Sequence, residues 1–138
     1  TAVVANGTQA DMIMERIEDG GKPLDALAIS LVAYGYERDE LDTPRIAGAV
    51  RGNRAWLGIA RKDELRVQQF RLDEDQALMV ATYEKTNFED VSMSAWDVAG
   101  IARKAYDLSF ERPVCAAAAL ACSAEPNGGF ILAAYNPD

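Results

Sequence analysis

The hydrophobic spacing changes period part-way along this chain, and that change constrains the fold more than any other feature. Ala10, Ile13, Met14 and Ile17, then Leu24, Leu27, Ala28 and Leu31, recur at the three- and four-residue intervals of one helical face. From Ala55 onward the pattern becomes short apolar runs of strand length, broken by turn residues. Helical and extended segments are thus segregated along the chain. That order predicts an α+β domain with an antiparallel sheet of about five strands packed on one long helix. With 138 residues, 49% of them hydrophobic, a single globular domain over 1–138 is expected, with no covalent staple needed.

Punctuation places the elements. The first helix is expected from Gln9 to Asp19, ended by Gly20-Gly21. A second opens at Pro23 and stops at Gly35. Residues 1–7 show no period and are read as a flexible lead. Thr43-Pro44 is read as the cap and first turn of a short helix through Arg51. Ala55–Arg61 and Leu65–Leu72 form a hairpin about Lys62-Asp63-Glu64. In the second of these strands the apolar phase moves from Leu65 and Val67 to Phe70 and Leu72, which predicts a β-bulge at Gln68-Gln69. Ala77–Tyr83 suits a further strand, and residues 95–108 a helix opened by Ser94 and Asp97. Glu125-Pro126-Asn127-Gly128 is a strong turn signal between two last strands, the first near 115–123, where Pro113 followed by alanines leaves a helix as the alternative.

Charge is as unevenly distributed as period. The net charge is −8, yet residues 44–72 carry Arg45, Arg51, Arg54, Arg61, Lys62, Arg66 and Arg71 against only Asp63 and Glu64. That stretch is +5, while residues 1–43 (three basic, nine acidic) are −6 and residues 73–138 (four basic, eleven acidic) are −7. A cationic face on an acidic body attracts anions or acidic partners. On the expected hairpin the bulge would bring Arg66 and Arg71 to one outward face, with Arg54 and Arg61 at the ends of the neighbouring strand. These four are the candidate anion- or partner-binding residues, since guanidinium forks suit carboxylate and phosphate. The competing reading pairs them with acidic groups of the same molecule. The acidic remainder argues against nucleic acid as the partner.

Histidine is absent, which removes catalytic triads, His-ligated metals and imidazole switches built from this chain alone. Glycine spacing matches no phosphate loop, and the acidic clusters 39–42 and 73–75 lack the calcium-loop pattern. No catalytic residue, metal site or cofactor is therefore expected. Cys115 and Cys122 lie seven residues apart, about 10.5 Å along a helix or about 23 Å along a strand, too far for a disulfide in either; small buried thiols are expected in a regular segment, and only an irregular loop could close a bridge. No apolar run reaches the roughly 20 residues of a membrane span.

The resulting expectation is a non-catalytic protein-interaction module of inhibitor, immunity, chaperone or envelope-accessory type, gripping an acidic protein surface, with a homodimer compatible. A small enzyme or small-anion carrier with an Arg/carboxylate pocket is the alternative. Arg outnumbers Lys ten to four, a bias that suggests a bacterial source. The location is periplasmic or secreted if Thr1 is a processed terminus, and cytoplasmic otherwise.

Overall fold

A computed structural model describes residues 1–83, 85–122 and 129–137. The protein is α+β, with three helices and only antiparallel strand pairing among the described residues. Contacts gather into two compact units, Thr1–Val91 and Ser92–Asp138.

The first unit begins with strand β1 (Ala2–Ala5), helix α1 (Gln9–Glu18) and helix α2 (Pro23–Tyr34). Both helices fall where the period places them. Pro23 occupies the first turn of α2, and Gly35 ends it at φ +64°, a conformation that glycine adopts without a Cβ clash. Strands β2 (Arg45–Arg51), β3 (Arg54–Ala60) and β4 (Leu65–Arg71) follow, and the sheet order is β1-β2-β3-β4. A short ladder of β5 (Ala77–Met79) and β6 (Glu89–Val91) completes this unit.

Three local expectations are corrected here. Residues 1–7 are not a loose lead, because Ala2–Ala5 pairs along β2 from Ala2 opposite Val50 to Ala5 opposite Ala47. Its partner lies more than forty residues away, so no local pattern announces it. Arg45–Arg51 is a strand, not a short helix. Pro44 lacks an amide hydrogen whichever element follows, and pairing on both sides of β2 outweighs the weak local signal. Nor is there a bulge at Gln68-Gln69, since β3 and β4 pair residue for residue from Arg54 opposite Arg71 to Ala60 opposite Leu65. The apparent slip arises because both faces of β4 are partly covered. Val67 packs against the core, whereas Phe70 on the other face meets Phe88 edge-on with ring centroids 5.9 Å apart. Gln69 takes an inward position by accepting the indole N–H of Trp56 at 2.8 Å.

The core lies between the two helices and one face of the sheet. Ile13 and Ile17 of α1, Leu27 and Leu31 of α2, and Ala47, Ala49, Trp56 and Ala60 of the sheet form one buried cluster, with Val3, Ala5 and Val67 at its margin. Small residues dominate the sheet side, which lets α2 lie close. Gly58 is the nearest approach: a Cβ there would fall 2.5 Å from Leu31 Cδ1.

In the second unit, helix α3 (Val98–Tyr106) packs on a hairpin of β7 (Ala116–Ala121) and β8 (Phe130–Tyr135). Asp97 caps α3, its carboxylate accepting the Gly100 N–H at 2.7 Å. Tyr106 and Tyr135 meet edge-on, and Arg103 lies over the Tyr135 ring at 5.5 Å. The turn expected at Glu125–Gly128 lies outside the described residues. The cysteines are unbridged, but Cys115 is exposed and Cys122 half-buried, which corrects the expectation of buried thiols. Both flank β7 rather than sit inside it, on an alanine strand too slender to cover them.

Replacing Gly58 with alanine should force α2 away from β3. The expected loss is about 1–3 kcal/mol of unfolding free energy, read from denaturant titrations, because the added methyl meets a fully buried leucine. An unchanged midpoint would show that α2 is not fixed by this contact.

Candidate functional site

Where β1 hands over to α1 and β2 begins, polar side chains are interlinked around one fully buried glutamine. Gln9, the first residue of α1, is fully buried. Its amide nitrogen donates to Asn6 Oδ1 at 3.0 Å and to the Ile46 carbonyl at 3.2 Å, and its oxygen accepts from Arg45 Nη1 at 3.4 Å. Asn6 in turn accepts the Ile46 N–H at 2.9 Å and donates to the Pro44 carbonyl at 3.0 Å. The Asn6 amide thus continues the ladder past the end of β1 and fixes the first residues of β2. Gly7 is packed against the same group, since a Cβ there would come within 2.6 Å of Gln9 Oε1 and 3.0 Å of Arg45 Nη1.

Arg45 is the centre of this cluster. Its side chain is only 16% exposed and pairs with Glu37 at 3.3 Å. The guanidinium carbon lies 5.3 Å from the centroid of the Tyr34 ring, at the last residue of α2. Arg45 Nε is buried without a hydrogen-bond partner among the described residues. Glu37, the other half of the pair, is nearly half exposed and open to an incoming group.

The loop between α2 and β2 supplies the rest. Glu37 N–H donates to the Thr43 carbonyl at 2.7 Å, closing the loop on itself. Asp39 accepts from the Leu41 and Thr43 amides at 3.1 and 2.9 Å and from the Thr43 hydroxyl. Asp42 adopts the left-handed conformation at φ +48°, strain that the surrounding bonds must hold in place. Thr43 Oγ1 also lies 2.7 Å from Tyr83 Oη, and Lys62 Nζ pairs with Asp42 at 3.0 Å. Together these bring a guanidinium, a carboxylate, two hydroxyls and an aromatic face to one end of the sheet. A planar ligand carrying carbonyl and amide groups could be held there.

The four arginines singled out from sequence are not brought to one face. Successive strand residues point to opposite sides, so with unbroken register Arg66 and Arg71, five positions apart, face opposite ways. Arg66 pairs with Glu64, donates to Asn87 Oδ1 at 3.2 Å and lies 5.5 Å from the Phe88 ring centroid. Arg61 sits in the turn, 3.7 Å from Glu64. Arg54 and Arg71 are direct neighbours at the other end of the hairpin. Sequence reasoning missed Gln9, Tyr34, Glu37 and Arg45 as a group because their contacts are non-local. The one local signal was a crowded polar run, Tyr34 to Arg45, between two apolar elements.

Two groups are shifted from their ordinary ionisation. Hydrogen bonds from Thr43, side chain first and then backbone, hold Asp39 below its usual 3.8. The hydrogen bond from Lys62 to Asp42, with their charge attraction, holds Lys62 above its usual 10.5. The stability tied to Asp39 is complete above 3.8 and is lost as pH falls through its lower folded value; that tied to Lys62 is complete below 10.5 and is lost as pH rises through its higher one. Asp39→Asn should therefore flatten the acid limb of a melting-temperature-against-pH curve below pH 3.8, and an unchanged limb would show that this loop does not report the carboxylate.

Comparison with known proteins gives this cluster its context. Residues 1–125 match the family described as IMP cyclohydrolase-like protein. The chain is 60% identical over 136 residues to the IMP cyclohydrolase of Methanothrix thermoacetophila, covering 99% of this chain and 66% of that protein. With the IMP cyclohydrolase of Methanocella arvoryzae it shares 50% identity over 135 residues, covering 98% and 65%. With that of Natronomonas pharaonis it shares 47% over 120 residues, covering 87% and 60%. The chain thus spans slightly less than two thirds of the length of these relatives. Their archaeal sources overturn the bacterial reading of the Arg bias, which reflects base composition and not lineage. The expectation of a non-catalytic protein-binding module is overturned by the same matches, because the relatives are named for a reaction. Over nine-tenths of its length, this chain belongs to the IMP cyclohydrolase-like family.

Proposed function

We propose that this chain acts in the interconversion of IMP with its ring-opened form, and that the Arg45–Glu37 cluster contacts the reacting ring. The observation that carries this reading is the largely buried Arg45 paired with a half-exposed Glu37 carboxylate, in a chain of this family. Hydrolysis of the six-membered ring of IMP adds water at the carbon between its two nitrogens and breaks one carbon–nitrogen bond. A carboxamide and a formamide result. In the closing direction the carboxamide nitrogen attacks the formyl carbon, and the formyl oxygen leaves as water.

Two demands follow for a chain without histidine. The weakly nucleophilic carboxamide must lose a proton, and the formyl oxygen must be stabilised as negative charge develops on it. Glu37 can accept the amide proton, a role worth roughly 10²- to 10⁴-fold in rate. Arg45, a cation in a partly dry setting, can donate to the oxygen through its terminal guanidinium nitrogens; loss of one such donor costs roughly 10²- to 10³-fold. The Tyr34 ring offers a flat neighbour for the heterocycle, and Thr43 of the α2–β2 loop meets the hydroxyl of Tyr83 from the β5–β6 connection.

Ring closure can be followed by the change in ultraviolet absorbance as the purine forms from the formamido-carboxamide ribonucleotide. Glu37→Gln should lower kcat by roughly 10²-fold or more with KM little changed. Arg45→Lys keeps the charge but loses the planar fork, and should lower kcat/KM by roughly 10²-fold. Folded variants of both residues that turn over at the wild-type rate would remove the cluster from the reaction.

A further inference from the structure

Of the seven basic side chains in residues 44–72, four hold a carboxylate: Arg45 with Glu37, Arg61 and Arg66 with Glu64, and Lys62 with Asp42. Among the described residues the other three, Arg51, Arg54 and Arg71, hold none. These three are also cross-strand neighbours. Arg51 lies opposite Arg54 across the Gly52-Asn53 turn, and Arg54 lies opposite Arg71. Residues directly opposite share a face, so three guanidinium-bearing side chains stand in a row across β2, β3 and β4. All three are exposed. Arg51 is steered by a hydrogen bond from its Nε to Thr1 Oγ1 at 2.6 Å, a bond that does not use its terminal nitrogens.

Like charges set directly opposite one another destabilise a ladder. The chain carries 22 acidic residues, yet none among the described residues pairs with this row. We propose that Arg51, Arg54 and Arg71 form a second anion site, separate from the Arg45 cluster, that takes a small ligand bearing two or three linked phosphoryl groups. Neighbouring strands are about 4.8 Å apart, so the row spans about 10 Å and presents its forks in a line. A linear phosphate chain can meet all three, whereas a lone carboxylate engages one or two. The −13 carried outside residues 44–72 opposes an extended polyanion such as nucleic acid or an acidic protein, but a compact ligand lies largely within about 8 Å of the row, inside the screening length. Six positions along β2 separate Arg51 from Arg45, about 20 Å, which is too far for one mononucleotide to serve both sites.

The site is tested by calorimetric titration of inorganic tripolyphosphate into the full chain at about 0.15 M ionic strength, where the screening length is about 8 Å, with an oligoglutamate peptide in parallel. Wild type should bind one tripolyphosphate. The double variant Arg54→Gln/Arg71→Gln should bind it roughly tenfold more weakly for each guanidinium removed. In phosphate-free buffer the same variant should melt no lower than wild type, because its ladder is relieved of like-charge repulsion, and it should retain ring-closing activity. Equal tripolyphosphate binding by variant and wild type, no binding by either, or tighter binding of the peptide would each overturn the proposal. None of these outcomes bears on Glu37 or Arg45.

Discussion

The missing side chain at Gly58 sets the separation on which the first unit depends. With no Cβ on β3 at that point, Leu27 and Leu31 of α2 reach the sheet backbone, and alanines at 47 and 49 keep the neighbouring strand equally low. A helix held that close has its end fixed as well as its middle. Tyr34, at the last position of α2, is thereby placed beside Arg45 at the first position of β2. The loop between them then has to turn within ten residues, and it does so by spending Asp39 on the Leu41 and Thr43 amides and by holding Asp42 left-handed. Close packing in the core and strain in the loop are therefore two ends of one constraint, running from dispersion contacts to the position of charged groups.

Legibility from sequence follows the range of the contacts involved. α1, α2 and α3 each carry their own apolar stripe and stop signals, so their places can be read within a few residues. Strands β1 and β2 cannot, because what makes them strands is each other: Ala2–Ala5 is four residues of no distinctive pattern until Ala47–Val50 lies beside it. The supposed bulge in β4 shows a subtler failure. A phase change in an apolar pattern signals an inserted residue only if one face is buried and the other wet. Here Phe88 covers Phe70 on the far face and Trp56 satisfies Gln69 on the near one, so the pattern shifts while the backbone does not.

That single register error carries into the charges. Parity along a strand decides which side an arginine faces, so one inserted residue is enough to move Arg71 from the face opposite Arg66 to the same face. Charge segregation in residues 44–72 was legible; its resolution into four cations paired with carboxylates and three without one among the described residues depends on register and side-chain contacts. Composition can thus announce an anion-attracting segment, but it cannot distinguish a guanidinium neutralised by its own chain from one left for a ligand.

The lack of histidine meets the Arg45 cluster from the other side. Imidazole can serve as donor or acceptor near neutral pH, whereas arginine can only donate and an ionised glutamate can only accept. A site built from Arg45 and Glu37 therefore has to divide those roles between two residues held at 3.3 Å. Burial differs between the two: the Arg45 side chain is 16% exposed, while the Glu37 carboxylate is nearly half exposed. The fully buried Gln9, tied at once to Asn6, to the start of β2 and to Arg45, anchors the cation from the core side. One member of the ion pair is therefore held by three elements of the fold, whereas the other faces solvent, which is the asymmetry the proposed division of roles requires.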